Sequence, residues 1–195
     1  MTEWEKLLAG QVYNDFDEDL FNRRVEAKKL FRAYNKTEDD EVEKRAVILK
    51  ALFKEIGKEV WIEPDFRCEF GKNITIGHHV YINFGCIILD CADVVIGDHV
   101  LIGPNCGIYP VNHSYDAEER IQGGCYGKPV KIGDRVWLGG DVKILPGVTI
   151  GEDTIIGTGS IVTKDIPAGV IATGNPCRVI REITDEDKTD YLKNK

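Results

Sequence analysis

Four histidines punctuate the sequence, and the last of them, His113, stands in the polar stretch GIYPVNHSYDAEERIQGG, residues 107–124. Imidazole is the side chain best matched to take up and return a proton near neutral pH, so a histidine in such a loop is a candidate general base. Metal binding is the other chemistry of histidine, and a catalytic zinc takes three protein ligands. His113 is followed five positions on by Glu118 rather than by a second histidine, and His78 and His79 share one short corner, which leaves His99 as the remaining partner. The six cysteines, at positions 68, 86, 91, 106, 125 and 177, form no C-x-x-C pair. They spell neither a zinc knuckle nor a redox motif and are expected as small buried hydrophobes. No metal is expected.

A formal net charge of −8 over 195 residues lacks the basic face that nucleic acid demands, so nucleic acid is excluded as a partner and any phosphorylated ligand must be met by locally gathered cations. No apolar run approaches the length of a membrane span, and the opening MTEWEKLLAGQVYNDFDEDL is polar and acidic, unlike a signal or transit peptide. No membrane association and a cytoplasmic location are therefore expected.

The elements that must position His113 are written in a period of six. Ile132, Leu138, Ile144, Ile150, Ile156 and Val162 stand six apart, and Val130, Val136, Val142 and Val148 precede the first four of these by two. The trios Ile76, Ile82, Ile88 and Ile96, Ile102, Ile108 keep the same step, with a slip of two residues between them. This period is the signature of a hexapeptide β-helix, in which each repeat contributes one short strand and one corner and three repeats close a triangular coil. Ile108 and Ile132 are twenty-four apart, a multiple of six. The stretch around His113 is thus an insertion that leaves a coil and rejoins it in register.

Before the repeats, the pattern is helical. Thr2 and Glu5 have capping-box spacing ahead of WEKLLA, and Gly10 ends that helix; a second helix is expected through DEDLFNRRVEAKKLFRAYN. For a third, Thr37 and Asp40 offer a cap, Val42, Ala46, Leu49, Phe53 and Ile56 form one apolar stripe, and Gly57 is the stop. The expected organisation is a helical segment over residues 1–57, a β-helix over 58–176 with an inserted loop at about 109–128, and a C-terminal extension over 177–195.

With these features the sequence resembles the maltose and galactoside O-acetyltransferase family. The likeness rests on LAGQVYNDFDEDL, IEPDFRCEFG, YINFGCIILD, NHSYD, KPVKIGDRVWLGG and the long tail VKILPGVTIGEDTIIGTGSIVTKDIPAGVIATGNPCRVIREI. It implies a left-handed parallel β-helix, a homotrimer with active sites between subunits, acetyl-CoA as co-substrate and a sugar hydroxyl as acceptor. His113 matches the family's catalytic histidine, acting as general base for direct attack of the hydroxyl on the thioester. Asp15, Tyr81 and Asn83 match acceptor-site positions. Glu69 and Cys91 fall at further sugar-contacting positions with side chains that differ from the galactoside pattern, Cys91 replacing a carboxylate. Trp137 matches an aromatic beside the pantetheine arm. Gly140 stands where galactoside enzymes carry serine and keeps the backbone N–H that can stabilise charge on the thioester oxygen. Thr158, Thr163, Lys164, Arg178 and Arg181 match cofactor positions toward the tail, where Arg offers a fork for phosphate.

Three rival readings are open to the same residues. The gamma-type carbonic anhydrases use this architecture with three zinc-binding histidines. A non-catalytic β-helix scaffold would not require His113, Asn83 and the tail cations together. Relatives that acetylate amines or xenobiotics usually lack the helical head with its Asp15. The acceptor favoured is therefore a sugar, of the maltose, glucose or galactoside kind.

Overall fold

In a computed structural model, residues 1–191 are described, and they form a parallel β-helix with a helical head. The last four positions of the expected C-terminal extension lie outside the described residues. Three parallel sheets make the three faces of the prism. On the first face Ile56, Ile76, Ile96, Ile132 and Ile150 are successive register partners, extended by a bridge to Ile166. Ile62, Ile82, Ile102, Leu138, Ile156 and Ala172 stack on the second face, and Cys68, Ile88, Ile108, Ile144 and Val162 on the third. Period six therefore means one inward residue per face, each stacked on its counterpart a coil away. All but Ile56 of these side chains are buried, and the valines two residues earlier fill the remaining interior.

Close coil stacking explains the glycines that follow the first-face isoleucines. A Cβ at Gly97 would lie 2.8 Å from Asp134 N and 2.9 Å from Gly133 C, both backbone atoms of the next coil. Neither can retreat without opening the coil spacing.

The slip between the trios falls at the corner between the third and first faces. That corner holds Glu69–Asn73 in one coil and Leu89–Asp93 in the next, and the residue 109–129 arm in the third. Four hexapeptide steps share the phase of one on a three-sided prism, so Ile108 on the third face and Ile132 on the first remain in register across the arm.

Helix α1 (Glu3–Leu8) carries the capping box between Thr2 and Glu5 and is followed by Gly10 at φ 65°. Helices α2 (Glu18–Tyr34) and α3 (Val42–Leu52) close the N-terminal end of the prism, with Phe31, Tyr34, Leu49 and Leu52 joining its core. The Tyr34 hydroxyl and the Arg45 guanidinium both donate to the carbonyl of Ile62, at 2.5 and 2.6 Å. The expected bounds of α3 are corrected. Thr37 does not cap it; its hydroxyl donates to Tyr34 O at the end of α2, and the N-cap is Glu41 without a side-chain bond. The helix stops at Leu52, because Phe53 is already extended and Ile56 begins the first face of the prism. Gly57 lies at a coil corner, where a Cβ would collide with the Gly77 carbonyl of the next coil. At the far end, strands Val170–Thr173 and Arg178–Glu182 pair antiparallel on the second face.

Candidate functional site

The inserted arm is ordered by the head of the chain. Strands Val111–His113 and Gly124–Gly127 form an antiparallel pair, and Tyr13–Asn14 adds to the outer edge of the second. Helix α4 (Ala117–Ile121), capped by Asp116, joins the arm's two strands. Residues 13, 125 and 113 stand opposite one another across this sheet, so their side chains share one face. His113 is exposed, and its Nδ1 lies 3.0 Å from Cys125 Sγ. Cys125 is buried, and burial followed by the charge of Asp15 pushes its thiol up to about 11. Tyr13 is 1% exposed, and among the described residues its hydroxyl makes no hydrogen bond of full geometry. It packs in one buried cluster with Cys91 and Cys125, and burial, then the neighbouring Cys91 thiol, raises its hydroxyl well above the usual tyrosine range.

Asp15 lies in the turn that follows the strand, its N–H bonded to Gly123 O of the arm. It is not a helix cap: that position is taken by Asp17, whose carboxylate accepts the N–H groups of Asp19 and Leu20. Asp15 is thereby left to face Arg24 of α2. The guanidinium bridges two carboxylates, donating through Nη2 to Asp15 and through Nε to Glu69 at 2.5 Å, with Nη1 on Asp15 O at 3.0 Å. Asp15, Phe16, Glu18, Phe21 and Arg24 line an open cleft of about 440 Å³. Head, arm and prism corner thus bring His113, Cys125, Tyr13, Asp15, Arg24, Glu69 and Cys91 together. Sequence reasoning missed Arg24 and Cys125. Arg24 is one cation in the run FNRRVEAKK, and nothing local marks it as the bridge between residues 15 and 69. The usable signal was the two-residue slip, which falls at the corner carrying Glu69 and Cys91.

That corner is held by a residue of structural weight. Asp90 is fully buried; Oδ1 accepts the N–H groups of Glu69 and Phe70 at 3.0 and 2.8 Å, and Oδ2 that of Asn73 at 3.2 Å. Burial raises its carboxyl to about 6 against these lowering bonds. A carboxyl raised in the folded state favours folding fully below its unfolded value of about 4, and that contribution is lost as pH rises through about 6. Urea midpoints measured from pH 4 to 7 are expected to fall across this window more steeply for the wild type than for Asp90→Asn.

The remaining expected residues are not brought to His113 by the single chain. Tyr81 and Trp137 point outward from the second face, in the same lateral row as Leu101 and Ile155. Trp137 is 50% exposed, and the Tyr81 hydroxyl donates to Glu63 Oε1 at 3.0 Å. Asn83, Gly140 and Thr158 sit at the corner between the second and third faces, where Gly159 N donates to Gly140 O at 2.9 Å. Thr163 and Lys164 are exposed after the last third-face strand. Arg178 is exposed and donates to Cys177 O at 2.8 Å, whereas Arg181 is forked by Asp187 at 2.6 and 2.7 Å. The other histidines occupy a different corner, after the first face, where His79 bonds Glu59 and stacks on His99 with centroids 4.6 Å apart.

Comparison with known proteins agrees with this architecture. The maltose acetyltransferase hexapeptide capping motif matches residues 6–57, and the bacterial transferase hexapeptide family (six repeats) matches residues 129–164. The galactoside O-acetyltransferase of Escherichia coli (strain K12) is 45% identical over 190 residues, covering 97% of this chain and 94% of that protein. Among solved structures, a maltose O-acetyltransferase from Clostridium difficile 630 superposes with a TM-score of 0.92 at 50% identity, covering 95% of this chain and 99% of the other. A galactoside acetyltransferase in complex with coenzyme A gives a TM-score of 0.92 at 45% identity, covering 98% and 96%. At this identity, over the full span of helical head, arm and prism, the chain belongs to the family of maltose and galactoside O-acetyltransferases.

Proposed function

We propose that the protein transfers the acetyl group of acetyl-CoA to a hydroxyl of a mono- or oligosaccharide, with His113 as general base. The observation that carries this reading is the placing of an exposed histidine of the arm and the Asp15–Arg24–Glu69 bridge where head, arm and prism corner meet. The carboxylates offer acceptors for sugar hydroxyls, and Arg24 holds both in a fixed orientation. As an acceptor oxygen attacks the thioester carbonyl, its proton passes to His113; collapse expels the coenzyme A thiolate, which takes the proton back. The activities of the related galactoside and maltose O-acetyltransferases and the coenzyme A complex support the donor and acceptor classes.

In this reading the second set of residues serves the donor. Trp137 is a flat apolar wall for the pantetheine arm, the Gly140 N–H lies by the thioester oxygen, and Thr158, Thr163, Lys164, Arg178 and Arg181 meet the nucleotide end. Arg181 is held by Asp187, so Arg178 carries the larger share of phosphate binding. Because the two sets lie on different edges of the prism, the complete site joins His113 of one subunit to the donor edge of another in a homotrimer. Tyr81 and Asn83 belong to that facing edge, and Cys91, behind Tyr13, shapes the floor of the acceptor side. Mixing the protein with acetyl-CoA and a panel of sugars and amines, and following thiol release, tests the proposal. Release with sugars supports it, whereas release only with amines, or none at all, overturns it. Arg178→Ala is expected to raise KM for acetyl-CoA roughly tenfold, as for a lost charge-assisted hydrogen bond, with kcat retained.

A further inference from the structure

Two aromatic side chains line the cleft at the head of the chain and take no part in the chemistry assigned to His113. Asp15, Glu18 and Arg24 give that cleft its polar lining, and Phe16 and Phe21 its apolar lining. Both rings stand in solvent, 70% and 61% exposed, and an apolar surface rimmed by polar groups marks a place of contact. Phe16 is nonetheless held. Its N–H donates to Asn14 Oδ1 at 3.0 Å, which fixes the turn after the edge strand. Its ring lies against Gly123 of the arm, where a Cβ would come within 2.9 Å of Phe16 Cδ2. Phe21 belongs to the N-terminal end of α2, and its N–H donates to Asp17 O at 3.0 Å. Both rings are therefore carried on hydrogen-bonded backbone.

The lining selects the occupant. An apolar protein surface laid over the rings would strip water from the carboxylates of Asp15 and Glu18 without replacing it, and an anion would be repelled by the same groups. A pyranose ring suits both halves: its hydroxyls donate to carboxylate oxygens, and its C–H face lies flat on an aromatic ring. Distance separates this pyranose from the one that is acetylated. Tyr13 and His113 stand on the two outer strands of a three-stranded sheet, two strand spacings or about 10 Å apart. Phe16 lies three residues beyond Tyr13, in the turn. One pyranose at the imidazole does not span that reach. We propose that Phe16 and Phe21 are specificity-determining residues that bind the sugar unit adjoining the acetylated one, so that the acceptor is a disaccharide or a longer glycan. This inference rests on acetyl transfer to a sugar, with Asp15 and Arg24 shared between the two units.

The test measures initial rates of thiol release by the full-length protein with glucose and maltose, galactose and lactose, and phenyl glucoside and phenyl galactoside. For at least one sugar pair the wild type is expected to show a KM roughly tenfold lower for the disaccharide than for the monosaccharide, the scale of one well-packed aromatic contact. In Phe16→Ala and Phe21→Ala that ratio is expected to fall toward one, with KM for acetyl-CoA unchanged. Phe16→Tyr keeps the ring and is expected to keep the ratio. Equal KM for both members of each pair in the wild type, or a ratio that survives both alanine variants, overturns the proposal and leaves acetyl transfer to a sugar standing. A preference for phenyl glycosides without one for disaccharides also overturns it, since the rings then hold an apolar aglycone. A changed oligomer mass of either alanine variant in light scattering overturns it as well, marking the rings as a subunit contact. Absence of turnover with every sugar overturns the acetyl-transfer reading itself, and this inference with it.

Discussion

His113→Ala is expected to lower kcat for acetyl transfer to a sugar by about 10²-fold or more, the usual scale for loss of a general base. The imidazole is exposed, with a polar contact to Cys125 Sγ, so its removal takes nothing from the core. Initial rates of thiol release at saturating acetyl-CoA and acceptor measure the effect, and a thermal melt run beside them shows that the arm is still folded. KM for acetyl-CoA is expected to stay where it was, because the proposed role of His113 is to take the acceptor's proton rather than to hold the donor. Turnover within a few-fold of wild type would remove His113 from the chemistry.

The second large effect is expected at Arg24, whose side chain is 12% exposed and is shared by Asp15 and Glu69. Arg24→Ala leaves two carboxylates at one corner with no cation between them, and their mutual repulsion disperses the orientation that sugar hydroxyls would read. KM for the sugar is expected to rise roughly 30-fold, equivalent to about 2 kcal/mol for a charge-assisted network, while KM for acetyl-CoA is unchanged. Arg24→Lys preserves the charge without the fork that reaches both carboxylates, so it is expected to recover only part of the loss. Equal loss toward both substrates would instead mark Arg24 as a strut of the head.

The prism was legible because every coil places the same demand on its sequence: one aliphatic residue per face, stacked on the coils above and below, with no room for a Cβ at positions such as Gly97. Thr2 and Glu5 were legible because a capping box is closed within one turn. The end of α3 was misread because Phe53 and Ile56 continue the helix's apolar spacing while serving the first coil. His113 stood out as a break in rhythm, but its partner did not. Cys125 meets it through antiparallel pairing inside the arm, and Tyr13 joins through an edge contributed from the other end of the chain. Asp15 is left to the site because Asp17 fills the cap of α2, and only the structure separates the two. Such relations are set by tertiary register and leave no periodic trace.

The edge strand Tyr13–Asn14 has a consequence for how acceptor preference can change in this lineage. Because it is hydrogen-bonded to the arm, a graft of the arm alone would arrive without its third strand, and a graft of the head alone would dock on a foreign edge. On the proposed site, acceptor preference is carried by a matched pair of distant segments, and recombinants are expected to stay active when their crossovers leave residues 13–15 and 111–127 from the same parent.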